Sequence, residues 1–145
     1  PVALLAAGYE FTCAFDAAGD IRCWGVVGDL GPGWPPVGLD NPKSIAFGGD
    51  AACVINYDDS MACWGSSSLP SIPAALAGKA VSSVSMGQNF ACARTVDSHV
   101  VCWGSSEYNQ TTLPAKLVGT SGTASAVSSA GYHSCAILDG GSLPG

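Results

Sequence analysis

A cysteine-marked unit recurs along this chain about every 40 residues, and that period restricts the fold to architectures made of small repeated modules. Gly8-Tyr9-Glu10-Phe11-Thr12-Cys13-Ala14 is followed, ten residues after its cysteine, by Cys23-Trp24-Gly25. Gly48-Gly49-Asp50-Ala51-Ala52-Cys53 leads in the same way to Cys63-Trp64-Gly65, and Gly87-Gln88-Asn89-Phe90-Ala91-Cys92-Ala93 to Cys102-Trp103-Gly104. A fourth copy, Gly131-Tyr132-His133-Ser134-Cys135-Ala136, begins without a closing Cys-Trp-Gly. The approximate repeats are 1–41, 42–80, 81–122 and a partial 123–145.

Each repeat reads as strands. A short apolar segment precedes the glycine: Leu4-Leu5-Ala6-Ala7, Ser44-Ile45-Ala46-Phe47, Ser83-Val84-Ser85-Met86 and Val127-Ser128-Ser129-Ala130. A second strand runs through the first cysteine, and a third ends in Cys-Trp-Gly. Between them lie turns rich in Asp, Gly, Asn and Ser, the residues that close hairpins. Pro-rich connections separate the repeats, and a weak fourth strand is expected near Val37-Gly38-Leu39 or Ala115-Lys116-Leu117. No segment carries a helical period. Small sheets repeated at this spacing, each with a Trp-Gly mark, read as β-propeller blades. The expectation is an all-β chain forming an incomplete arc of about three and a half blades.

The pattern Gly-x-x-(His/Phe)-(Ser/Thr)-Cys-Ala, then a turn, then Cys-Trp-Gly resembles the RCC1 (regulator of chromosome condensation) repeat. Trp103-Gly104-Ser105-Ser106-Glu107-Tyr108-Asn109-Gln110-Thr111-Thr112-Leu113-Pro114 is similar to bacterial variants that include β-lactamase inhibitor propellers. The added cysteine pair is similar to extracellular versions such as the ectodomains of crinkly-type plant receptor kinases. The resemblance covers essentially the whole chain and implies the fold; function varies widely on this scaffold. Two features depart from the family pattern. Its histidine position holds Phe11, Ala51 and Phe90, with His only at His133. The family's rings also close with six or seven blades, more than these repeats supply.

Cys13 and Cys23, Cys53 and Cys63, and Cys92 and Cys102 flank turns centred on Ala18, Asp58 and Asp97, so each pair faces across a hairpin. Facing residues of a non-hydrogen-bonded antiparallel pair have Cα atoms about 4.5 Å apart, within reach of a disulfide. Three disulfides inside blades are expected, which places the chain in an oxidising, extracellular compartment. Buried thiols are the bland alternative. Zinc fits poorly, because no C-x-x-C is present. Cys135 has no partner ten residues on, where Gly145 stands. A chain that continues differently, a bond to another molecule and a simple buried thiol all remain open.

Composition narrows the function. Charged residues are 11% of the chain, against about 25% in a typical soluble domain, and the net charge is −6. No basic field exists to neutralise phosphates, which argues against nucleic acid. The longest uncharged stretches are broken by Pro or loaded with Ser, which argues against a membrane span. The start at Pro1 suggests a mature piece or a segment of something longer.

No catalytic constellation emerges, and no cofactor or metal motif. His99 falls in the third hairpin turn and His133 in the repeat's structural slot. Asp16, Asp58, Asp59, Asp97 and Asp139 follow the repeat cysteines and read as turn formers. Trp24, Trp64 and Trp103 recur as blade packing requires. Trp34, unique among Pro and Gly, and Tyr108 are candidate partner contacts, and Asn109-Gln110-Thr111 is an N-glycosylation sequon. The Ser/Thr-rich loops could also carry O-linked sugars. The sequence thus predicts a non-enzymatic extracellular module. Its first expected role is assembly, with further blades or copies of the chain stacking on the open faces, a glycosylated fibre among the outcomes. The alternative is a recognition module, binding a protein or glycan through rim loops.

Overall fold

Alternating apolar residues before and after tight turns produce eleven strands in the computed structural model, which describes residues 2–18, 20–26, 42–65, 71–118 and 122–139. Three antiparallel three-stranded sheets follow in chain order: β1 (Val2–Ala7), β2 (Phe11–Asp16), β3 (Ile21–Gly25); β4 (Ser44–Gly48), β5 (Ala51–Ile55), β6 (Met61–Gly65); β7 (Val81–Gly87), β8 (Phe90–Thr95), β9 (Val100–Gly104). A fourth sheet has two strands, β10 (Ala124–Ala130) and β11 (His133–Leu138). In each complete sheet the second strand is central, and the chain is the all-β array of propeller blades that its repeats imply.

The register sets the cystines. Cys13 lies opposite Cys23, Cys53 opposite Cys63 and Cys92 opposite Cys102, with Cα separations of 4.1, 4.1 and 4.0 Å, and all three pairs are disulfide-bonded. Each Cys-Trp-Gly glycine has positive φ: 99° at Gly25, 124° at Gly65 and 108° at Gly104. A Cβ on Gly104 would lie 2.7 Å from the Cα of Phe90, so the close approach of the strands demands glycine there.

Blades stack in chain order, β1 on β4, β4 on β7 and β7 on β10, and the burial of each central strand reports its place in the stack. In β2 only alternate residues, Phe11, Cys13 and Phe15, are buried. Every residue of β5 and nearly every one of β8 is buried, because blades cover both faces. β11 again alternates, between exposed and half-buried.

Three apolar clusters fill the gaps between blades. Phe11, Phe15, Phe47 and Ala52 join blades one and two, with the Phe11 and Phe47 rings edge to face at 4.9 Å. Ile55, Leu76, Val81, Met86 and Trp103 join two and three. Val100, Leu117 and Ala124 join three and four. Backbone bonds reinforce the stack at the hairpin tips, where Val81 N–H donates to the Asp59 carbonyl (2.8 Å) and Ala124 N–H to that of Ser98 (2.9 Å). Asp59 and Ser98 both have left-handed φ, 62° and 71°.

The expected fourth strand at Ala115-Lys116-Leu117 is a 3-10 turn (Ala115–Leu117). Pro114 presets the turn and Leu117 N–H donates to its carbonyl (2.8 Å), which points Leu117 into the core. Ala74–Leu76, after Pro73, repeats the arrangement. The other expected position, Val37-Gly38-Leu39, lies outside the described residues.

Candidate recognition rim

Every blade has two ends. One carries the tip of the hairpin that follows the first cysteine. The other carries the short turn between first and second strands, beside the Trp-Gly. At this second end the turns of successive blades adjoin: Gln88 N–H donates to the Gly131 carbonyl at 2.7 Å, and Gly49 sits beside Asn89. Left-handed φ at Gly49 (54°), Asn89 (62°) and Gly131 (46°) reverses the chain in each.

The stretch after Gly104 builds the side chains of this rim. Ser105 N–H donates to the Asn89 carbonyl (2.8 Å), Asn109 N–H to that of Ser106 (3.1 Å) and Thr112 N–H to that of Asn109 (3.0 Å). Gln110, almost fully buried, pins the loop: its Oε1 accepts from the Tyr108 N–H (2.8 Å) and its carbonyl accepts from the Ser134 hydroxyl (3.4 Å). The result is an exposed aromatic pair, Tyr108 and Tyr132, 61% and 52% accessible, with ring centroids 5.2 Å apart and planes at 63°. Such edge-to-face pairs add about 0.5–1.5 kcal/mol beyond burial, enough to hold two surface rings in one orientation.

Lysine and arginine are confined to one end, where the tip aspartates accompany them. All five basic side chains, Arg22, Lys43, Lys79, Arg94 and Lys116, belong to the hairpin-tip half of their blades or to the turns leading into it. The Tyr rim carries Glu10, Asp50 and Glu107, with Tyr9 also exposed there. At the tip end Lys43 pairs with Asp59 (2.6 Å), and Arg94 donates to Ser82 and Ser98, both at 2.7 Å, and to the Ala124 carbonyl.

The other residues singled out by sequence distribute as follows. Trp34 lies outside the described residues. Asn109 is exposed in the rim turn with φ of 60°. Cys135 is an exposed free thiol. His133, at the slot where Phe11 and Phe90 are buried, is exposed, because within the described residues no sheet covers that side of the fourth blade. Trp103 is buried and Trp64 half-buried, but Trp24 is 54% exposed, which corrects its reading as a core residue: its indole faces away from the second blade. Tyr132 and Gln110 are not singled out as contacts by the sequence, although both lie inside quoted segments, Gly131 to Ala136 and Trp103 to Pro114. Among the described residues no group of three or more His, Cys, Asp or Glu side chains is arranged to hold a metal.

The aspartates at the tips close turns. Asp16 Oδ1 accepts from the Ala18 and Asp20 N–H groups (2.8 and 3.0 Å). Asp58 Oδ1 accepts from the Ser60 hydroxyl (2.6 Å) and N–H (3.0 Å), and these bonds, the hydroxyl first, hold its carboxyl below the usual range. The Thr95 side chain is the main cause lowering Asp97; desolvation, next in size, opposes it, and the His99 and Lys79 charges add smaller lowering effects. A depressed carboxylate pKa supplies stability above the ordinary carboxylate range, lost as pH falls through the folded value. Ser60→Ala is therefore expected to raise the Asp58 pKa toward its ordinary value of about 3.9. Carboxyl carbon shifts followed through an NMR titration measure this, and an unmoved Asp58 would refute the assignment.

Residues 81–110 match the family model of the Regulator of chromosome condensation (RCC1) repeat. The repeats are RCC1-like. The ectodomain of the receptor kinase CR4 from Physcomitrella patens is similar over 99% of this chain at 29% identity, with a TM-score of 0.76. The CRINKLY WD40 ectodomain of the Arabidopsis thaliana receptor kinase ACR4 is similar over 94% at 27% identity, TM-score 0.64. Prp20p from Saccharomyces cerevisiae, at 15% identity over 95% of the chain and a TM-score of 0.74, shares the fold. The chain spans 37%, 45% and 43% of those three proteins' lengths. No curated protein sequence matches it. No helix among its described residues is long and apolar enough to cross a membrane.

Proposed function

We propose that these RCC1-type repeats form a non-enzymatic extracellular recognition module that holds a protein partner through the rim bearing Tyr108 and Tyr132. The exposed edge-to-face pair carries the reading, because aromatic side chains held rigid on a surface give contact area at little entropic cost. The three disulfides and the likeness to two receptor ectodomains support an extracellular setting. Charge indicates the partner's chemistry. A rim with Glu10, Asp50 and Glu107 and no Lys or Arg suits a segment rich in Lys or Arg, which meets carboxylates and ring faces together.

Panning the immobilised chain against a displayed random-peptide library, with a glycan array in parallel, tests the reading. Enrichment of Lys/Arg-bearing peptides is expected, with binding reduced about 10-fold or more in Tyr108→Ala and in Tyr132→Ala. Ligands indifferent to both substitutions, or selected from the array instead, would overturn it.

Assembly through blade faces is the second reading, and the half-exposed Trp24 on the outer face of the first blade favours it. Light scattering decides: a concentration-dependent oligomer lost in Trp24→Ser supports it, and a stable monomer counts against it.

A further inference from the structure

Tyr108 and Tyr132 meet across the join between the third and fourth blades, and backbone on both sides fixes them there. Tyr108 precedes Gln110, whose carbonyl accepts from the Ser134 hydroxyl of the fourth blade (3.4 Å). Tyr132 follows Gly131, whose carbonyl accepts from the Gln88 N–H of the third blade (2.7 Å). Each ring thus stands on a segment tied to the other ring's blade, and the centroids lie 5.2 Å apart. The chain's other two tyrosines are more exposed, Tyr9 at 83% in the β1–β2 turn and Tyr57 at 71% in the hairpin tip between β5 and β6. Neither rests against another aromatic ring among the described residues. Exposure is therefore common to all four, and ring contact belongs to one pair.

Two phenols in contact have a chemistry that a single phenol lacks. One-electron oxidation of each, with loss of its phenolic proton, leaves two tyrosyl radicals. These join by a C–C bond between ring carbons ortho to oxygen. Each ring then passes its ortho hydrogen, as a proton, to its own oxygen, so the product, dityrosine, is the original pair less two hydrogen atoms. Exposed side chains reorient in picoseconds to nanoseconds, so planes now 63° apart can bring their ortho edges together before the radicals meet other partners. Holding the rings side by side also turns a bimolecular coupling into an intramolecular one, with an effective concentration far above that of the protein in solution. The three cystines belong to a compartment that oxidises thiols, where peroxide also persists.

We propose that Tyr108 and Tyr132 are a site of oxidative cross-linking, coupled to dityrosine by hydrogen peroxide and a haem peroxidase, which joins the third and fourth blades covalently at the rim. The peroxide takes up the two electrons and two protons that the phenols release and becomes two waters. The link spans 24 positions, from 108 to 132, and restricts the unfolded chain as a disulfide does. It stands whether or not the rim holds a partner, because it concerns what the two rings do to each other.

The test uses the 145-residue chain with Cys135→Ser, so that thiol oxidation does not consume the peroxide. Dilute protein is treated with a haem peroxidase and limiting hydrogen peroxide, and in parallel with a small ruthenium photo-oxidant and persulfate, which needs no docking of an enzyme. The monomer is expected to lose two hydrogen atoms and gain dityrosine fluorescence. Lys116 is the only lysine or arginine between the two tyrosines, so after reduction and trypsin the peptides 95–116 and 117–145 should emerge as one linked species. Tyr108→Phe and Tyr132→Phe keep a ring in place without the phenol, and each should lower the yield of that species about 10-fold or more, whereas Tyr9→Phe/Tyr57→Phe should leave it unchanged. The linked monomer should also melt about 5 °C or more above Tyr132→Phe treated identically. Linkage through Tyr9 or Tyr57 in preference, covalent dimers in place of the linked monomer, or no dityrosine with either oxidant would overturn the proposal.

Discussion

Gly104→Ala is expected to destabilise the fold by about 3–5 kcal/mol, combining a backbone conformation that L-residues rarely adopt with a Cβ forced onto the facing strand. At φ of 108° the added carbon meets the Asn89 carbonyl and the Phe90 Cα, both backbone atoms that move only if the sheet moves. Gly78→Ala is the control. It too has positive φ, 68°, but nothing lies within 4 Å of its would-be Cβ, so about 1 kcal/mol is expected. Urea denaturation of both variants compares them. Equal losses would mean that conformation alone, and not close approach of strands, selects the glycine of Cys-Trp-Gly.

Reduction of the disulfides should remove most of the stability. Each cystine closes a ten-residue separation, for which loop entropy gives about 3 kcal/mol. Three together rival the whole 5–15 kcal/mol by which domains of this size are stable. A thermal scan in a phosphine reductant should therefore show loss of the cooperative transition, or a midpoint lowered by tens of degrees. The double variant Cys92→Ser/Cys102→Ser should show about a third of that loss. An unchanged transition in fully reduced protein, verified by alkylation and mass, would show that the stacked blades alone carry the fold.

The legible part of this protein is what one repeat contains. Strand positions followed from apolar segments next to glycine, and the cystines from a separation that places both cysteines at one level of a hairpin. The 3-10 turns were less legible. Ala115-Lys116-Leu117 has the length of a short strand, and only the docking of Leu117 beneath the next blade favours the tighter turn. The candidate rim was half legible. Tyr108 stood out by its motif, whereas Tyr132, 24 positions away, joins it only because the turns of blades three and four abut.

Periodicity of 40 residues, by itself, determined the blade, its three strands, its staple and the glycine that lets the strands approach, because these interactions are local and recur with the sequence. Only the tertiary structure decided what each copy does with them. Three Cys-Trp-Gly tryptophans of equal sequence rank become one buried, one half-buried and one exposed, since each indole is covered by the blade before it and the first blade has none among the described residues. Stacking likewise gathered the lysines and arginines toward one end and brought Tyr108 and Tyr132 together at the other. Burial and charge placement depend on neighbours in space, which a one-dimensional repeat does not specify.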